Sequence, residues 1–126
     1  MSDARNTAVK PTVARPTGVP PSLLVTHDLM VGAGTSANSN STVKVNYVGV
    51  LWRDGKKFDS SWGRGAPDVF SWQQTVDGFR QGVAGMKVGG RREVIAPPNL
   101  AYGTAGNGSI GPNETLVFVI DLLDAQ

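Results

Sequence analysis

Residues 43–61 read VKVNYVGVLWRDGKKFDSS, and this stretch decides the fold. Val43, Val45, Tyr47, Gly49 and Leu51 alternate with Lys44, Asn46, Val48, Val50 and Trp52. A period of two marks a β-strand, whose successive side chains point to opposite faces. Asp54-Gly55 then supplies a hairpin turn, because glycine enters the positive-φ region at no steric cost. Lys56, Lys57 and Phe58 restart an extended run that ends in Asp59-Ser60-Ser61, a polar triplet able to hydrogen-bond its own backbone. The hairpin thus carries a carboxylate and aromatic rings at fixed offsets.

Working outward, Ser22 to Val31 (SLLVTHDLMV) has β character, and Gly32-Ala33-Gly34 ends it before a polar loop, Thr35 to Thr42. Beyond the hairpin, Ser61 to Pro67 is irregular, and Val69 to Trp72 is expected to form a short edge segment. Val76, Phe79, Val83 and Met86 then fall on one helical stripe within Val76–Met86. Gly78 and Gly82 inside that helix each cost roughly 1 kcal/mol against alanine, so it must be held by packing on a sheet. Arg91 to Ala96 is a strand stopped by Pro97-Pro98, residues 99–114 form a Gly- and Asn-rich loop, and Thr115 to Leu123 is the last strand. Short antiparallel strands with one short helix suggest an α+β fold, with a small β-barrel left open by pattern alone.

The whole chain has 126 residues, enough for one core. Residues 1–20 hold Pro11, Pro16 and Pro20, with Pro21 next, and show no sustained apolar period; they are expected to be a disordered arm ahead of a domain at 21–126. The net charge of +2 sits on that arm (Arg5, Lys10 and Arg15 against Asp3), leaving nine positive and nine negative side chains in residues 21–126. A nucleic-acid module would hold its basic excess on the folded part, so nucleic acid is not expected as a partner. No run approaches the roughly 18 apolar residues of a membrane span, and the first residues lack the apolar core of a secretory signal, so a cytoplasmic location is expected. The chain is also expected to be a monomer.

The chemistry is constrained by what is missing. There is no cysteine and one histidine, His27, best placed as a polar residue on a strand face. A thiolate nucleophile, a Cys/His metal site and a Ser-His pair are therefore not expected. Gly103, Gly106 and Gly108 have the wrong spacing for a dinucleotide loop. An enzyme built from this chain must run a reaction that asks little of ionisable groups.

Residues 45–61, VNYVGVLWRDGKKFDSS, resemble the opening signature of the FKBP-type peptidyl-prolyl isomerases, immunophilins that bind macrolides such as tacrolimus and rapamycin. The resemblance runs from about Pro20 to Gln126 and is most specific at 45–61, 78–90 and 97–123. It selects, from the open alternatives, a twisted antiparallel sheet of about five strands wrapped around one short α-helix. It implies a catalytic set of Tyr47, Asp59, Tyr102 and Phe118, and a substrate-binding set of Phe58, Thr75, Val76, Phe79 and Ile110. Phe79 takes the floor position where the family usually has tryptophan, and Tyr102 matches the tyrosine whose hydroxyl bonds a ligand carbonyl. Xaa-Pro peptides, unfolded chains and macrolides are the implied partners, with no cofactor. Singly, these residues have plain explanations: Phe118, Val76 and Phe79 would be core in any such fold, and Asp59 would cap Ser60-Ser61. Tyr102 differs, since a large ring in a Gly-rich loop needs a reason.

Two further departures are visible. Asp68 stands where many active members have an aromatic closing one side of the pocket, and FSWQQT (70–75) is short and lacks the usual Leu-Gly. Asp68 favours an alternative, a module that binds proline segments or macrolides with little catalysis; Tyr47, Asp59 and Tyr102 oppose it.

Overall fold

The structure is a computed structural model that describes residues 18–38, 41–62, 67–71, 75–104, 106 and 110–126. They form β1 (Val25–Met30), β2 (Val43–Leu51), β3 (Lys57–Ser60), β4 (Asp68–Phe70), α1 (Asp77–Val83), β5 (Arg91–Ala96) and β6 (Leu116–Ala125), with a 3₁₀ turn at Pro98–Leu100. The order across the sheet is β1-β5-β6-β2-β3, and β4 also pairs with β2. All these pairings are antiparallel. The sheet has six strands rather than about five, because the short segment after Pro67 pairs fully with Val43–Val45. It spans Asp68–Phe70 instead of Val69–Trp72, and Trp72 lies outside the described residues.

β2 is the hub. One edge is taken by β6 from end to end, and the other is shared: β3 covers Val48–Val50 and β4 covers Val43–Val45. The turn behaves as Asp54-Gly55 requires, with Gly55 at φ 72° and Lys56 N–H donating to Asp54 Oδ1 at 2.9 Å. Val43, Val45, Tyr47 and Leu51 face the helix with Leu116, Phe118, Ile120 and Leu122, and that face is the main core. Val48, Val50, Ile95 and Val117 form a smaller cluster on the other face, under Val25, Trp52 and Trp62. His27 sits exposed on β1, a strand face as expected.

The helix is shorter than its stripe. It ends at Val83, yet Met86 remains buried beside Phe79 and Val83 in the same core. Its glycines, unfavourable as helix formers, are demanded by close approach to β5. A Cβ on Gly82 would lie 2.5 Å from Val94 Cγ1, and one on Gly78 would lie 2.6 Å from Ala96 Cβ. Arg92 closes the arrangement, donating to Gly82 O and Ala84 O at the helix end and to Asp28 on β1.

On the far face of the sheet Arg91 and Asp121 stand opposite each other in the β5–β6 register, at 0% and 1% side-chain exposure. Two parallel bonds join them, Nε to Oδ1 at 2.6 Å and Nη2 to Oδ2 at 2.8 Å. Burial pushes the Asp121 carboxyl above its ordinary value, while the hydrogen bonds and charge of Arg91 pull it back. Residues 1–17 of the expected arm lie outside the described residues; Gly18, Val19 and Pro20 are exposed, and Trp52 Nε1 donates to Gly18 O at 3.2 Å.

Candidate functional site

Between the inner face of the sheet and α1 lies a cavity of about 190 Å³. Its deepest wall comes from three elements: Tyr47 on β2, Phe118 on β6 and Phe79 on α1, all buried. The period of two along β2 and β6 and the helical stripe of α1 aim these rings at one point. Phe79 meets Tyr47, Phe118 and Phe70 nearly edge-on, with centroids 5.8, 5.4 and 5.8 Å apart. Such edge-to-face contacts lock ring orientations, so the floor is rigid and apolar.

Half-buried side chains form the rim. Phe58 on β3 packs edge-on against Phe118 at 5.7 Å, in the space left because residue 49 is glycine; a Cβ there would lie 2.5 Å from Phe58 Cζ. Thr75 and Val76 line the cavity where the chain enters α1, with Val76 extended as the N-cap. Tyr102 follows the 3₁₀ turn and is held by its loop: Gly103 N–H donates to Pro98 O at 2.8 Å, and Gly106 N–H to Tyr102 O at 3.1 Å. The Tyr102 hydroxyl has no hydrogen-bond partner among the described residues, which leaves a donor at the rim.

Asp59 is the carboxylate on this wall and is exposed. Tyr47 OH donates to its Oδ2 at 2.5 Å, and Ser60 N–H to its Oδ1 at 2.8 Å. The self-capping expected of the Asp59-Ser60-Ser61 triplet and the rim position are therefore both realised by one carboxylate.

The sequence-derived set comes together here apart from Ile110. That residue is buried in the main core and is not among the residues lining the cavity. Asp68 is also corrected: it pairs with Val45 on β4, is half-buried, and does not line the cavity. Phe70, two residues on, does line it and tilts against Tyr47 with centroids 6.0 Å apart. β4 alternates, with Val69 exposed between Asp68 and Phe70, so Phe70 turns inward. Of FSWQQT, residues 72–74 lie outside the described residues.

Chemically, the described residues that line the cavity offer apolar surface, the hydroxyls of Tyr102 and Thr75 and one anchored carboxylate, with no imidazole or amine among them. Among the described residues no group of three His, Cys, Asp or Glu is placed to hold a metal ion, and no helix is long and apolar enough to cross a membrane. This is a surface for gripping a small apolar ring and bonding a carbonyl beside it.

Known proteins are similar to this chain in sequence and fold. Residues 34–123 match the family described as FKBP-type peptidyl-prolyl cis-trans isomerase. The FK506-binding protein of Streptomyces anulatus is 51% identical over 118 residues, covering 90% of this chain and 95% of its own length. The probable FK506-binding protein of Corynebacterium glutamicum is 45% identical over 116 residues, at 92% and 98% coverage. The crystal structure of FkpA from Escherichia coli superposes with a TM-score of 0.77 at 42% identity, over 82% of this chain and 48% of that one. With a match over most of its length and a shared fold, this chain belongs to the FKBP-type peptidyl-prolyl cis-trans isomerases.

Proposed function

We propose that this isomerase turns Xaa-Pro bonds of peptides and unfolded chains in the aromatic cavity, with the proline ring on the floor of Tyr47, Phe79 and Phe118. The observation that carries this reading is the graded wall: rings buried at the bottom, and the Tyr102 hydroxyl open at the rim. A cavity of about 190 Å³ is below the roughly 300–1,000 Å³ of sites that engulf drug-sized ligands. It holds one small ring and its amide, and leaves the rest of the peptide outside.

The barrier to rotation, about 18–20 kcal/mol, comes from amide resonance. Twisting the bond removes that resonance and makes the amide less polar than its planar form. An apolar floor therefore favours the twisted state over the hydrated planar one, and a fixed donor at the rim holds the carbonyl as it turns. No bond breaks and no proton has to move. Lowering the barrier by roughly 5–7 kcal/mol would accelerate rotation by about four to five orders of magnitude. Macrolides of the tacrolimus and rapamycin type are proposed to enter the same cavity, as the names of the two bacterial relatives suggest for those proteins.

Tyr102→Phe tests the reading. It removes one oxygen that bonds nothing in the described structure, so the unfolding midpoint should stay in place, within about 0.5 kcal/mol. Loss of one hydrogen bond to the turning carbonyl is worth about 1–1.5 kcal/mol, hence a roughly tenfold fall in kcat/KM on Leu-Pro peptides. An unchanged rate would remove Tyr102 from the site.

A further inference from the structure

We infer that Ser61 is a positioning residue for isomerisation, acting through the Tyr47–Asp59 contact. The inference rests on the cavity being the site of the reaction. The sheet has a gap beside Tyr47. The free edge of β2 is covered by β3 up to the Val48↔Ser60 pair and by β4 from the Val45↔Asp68 pair onward. Asn46 and Tyr47 fall between the two partners, at the position whose ring lines the cavity.

Ser61 fills that gap twice over. Its N–H donates to Tyr47 O at 2.9 Å, and its Oγ accepts from Tyr47 N–H at 2.8 Å. Both main-chain groups of Tyr47 on this edge are thus held by one residue, the first by backbone and the second by side chain. Since Oγ already accepts a bond, its own proton must go elsewhere, and it goes to Asn46 Oδ1 at 2.9 Å. Ser61 is 1% exposed, so water cannot replace any of these bonds.

The consequence reaches the rim. Asp59 lies two residues before Ser61, with Ser60 N–H on one carboxylate oxygen and Tyr47 OH on the other. The end of β3 is therefore tied to Tyr47 at both ends of that residue, main chain through Ser61 and phenol through Asp59. Fixing the first tie sets the geometry of the second, and with it the tilt of the Tyr47 ring in the floor. Ser61 does not itself line the cavity; it touches the lining only through Tyr47.

A double-mutant cycle decides whether this coupling is real. Ser61→Ala should lower kcat/KM on Leu-Pro peptides about tenfold, while Asn46→Ala, at a half-buried position, should lower it about threefold by freeing the hydroxyl proton. In an Asp59→Asn background Ser61→Ala should cost less than about twofold, because the contact it supports is already weakened. Ser61→Thr, which keeps the hydroxyl, should restore most of the activity lost in Ser61→Ala. Unfolding midpoints measured alongside separate rate from stability. Equal losses from Ser61→Ala in both backgrounds would overturn the inference and leave Ser61 a purely structural residue. Full activity in Asp59→Asn and in Tyr102→Phe would instead overturn the cavity as the reaction site.

Discussion

At position 49 the absence of a side chain shapes the site from a distance. Gly49 lies on β2, and the Phe58 ring rests against its bare Cα while packing on Phe118. Gly49→Ala would place a methyl 2.5 Å from the ring tip, and the ring, anchored only at its Cβ, would swing. Binding should weaken by about 1 kcal/mol, seen as a roughly fivefold rise in KM with kcat little changed. A steady-state assay on Leu-Pro peptides reads the split directly; an unchanged KM would mean Phe58 does not contact substrate. Residues of this kind differ in how far the sequence exposes them. Tyr47, Phe58, Asp59 and Tyr102 could be named because they sit inside a recognisable order of residues. Phe70 could not, since Asp68 held the matching position and only the pairing Val43↔Phe70 shows which way β4 faces. Ile110, which the resemblance assigns to substrate binding, is buried in the main core and does not line the cavity.

At the level of elements, the contact between α1 and β5 governs the depth of the cavity floor. Phe79 rides on the helix, and the helix can approach β5 only because Gly78 and Gly82 present no side chain. Alanine at 82 would improve helix propensity by up to ~1 kcal/mol, while the overlap with Val94 would cost about 1–3 kcal/mol. Gly82→Ala is therefore expected to lose about 1–2 kcal/mol of stability in urea unfolding. Combining it with Val94→Ala should destabilise by less than the sum of the two single changes, by about 1 kcal/mol. Simple additivity would show that the helix shifts instead of overlapping. The stripe of Val76, Phe79, Val83 and Met86 made this element visible in advance. Its end at Val83 was not visible, because Gly85 adopts φ 85° and turns the chain while Met86 stays in the core.

Across the whole molecule, the two faces of the sheet do different work: one holds the cavity, and the other buries an ion pair. Asp121→Asn would remove the carboxylate that faces the buried Arg91 guanidinium, at a cost of about 3–5 kcal/mol. Replacing both, as Arg91→Met with Asp121→Leu, should recover most of that loss, since burial already disfavours the Asp121 carboxylate. Urea midpoints of the single and double variants check this, and a loss below 1 kcal/mol for Asp121→Asn would mean that water reaches the guanidinium. Nothing in the spacing of Arg91 and Asp121, thirty residues apart, announces their contact; it exists because β5 and β6 are antiparallel neighbours in one register. The same holds for the gap at Tyr47 that Ser61 closes. What the sequence by itself determined was local and periodic: the β2–β3 hairpin, the helical stripe, and the strands read at 91–96 and 115–123. These depend on φ preferences and on the period of apolar residues, which neighbours along the chain set. What only the tertiary structure decided was which side of β4 turns inward, why the helix carries glycine, and which buried charges meet. Those depend on distances between segments far apart in the chain, and close packing fixes them only once every element is in place.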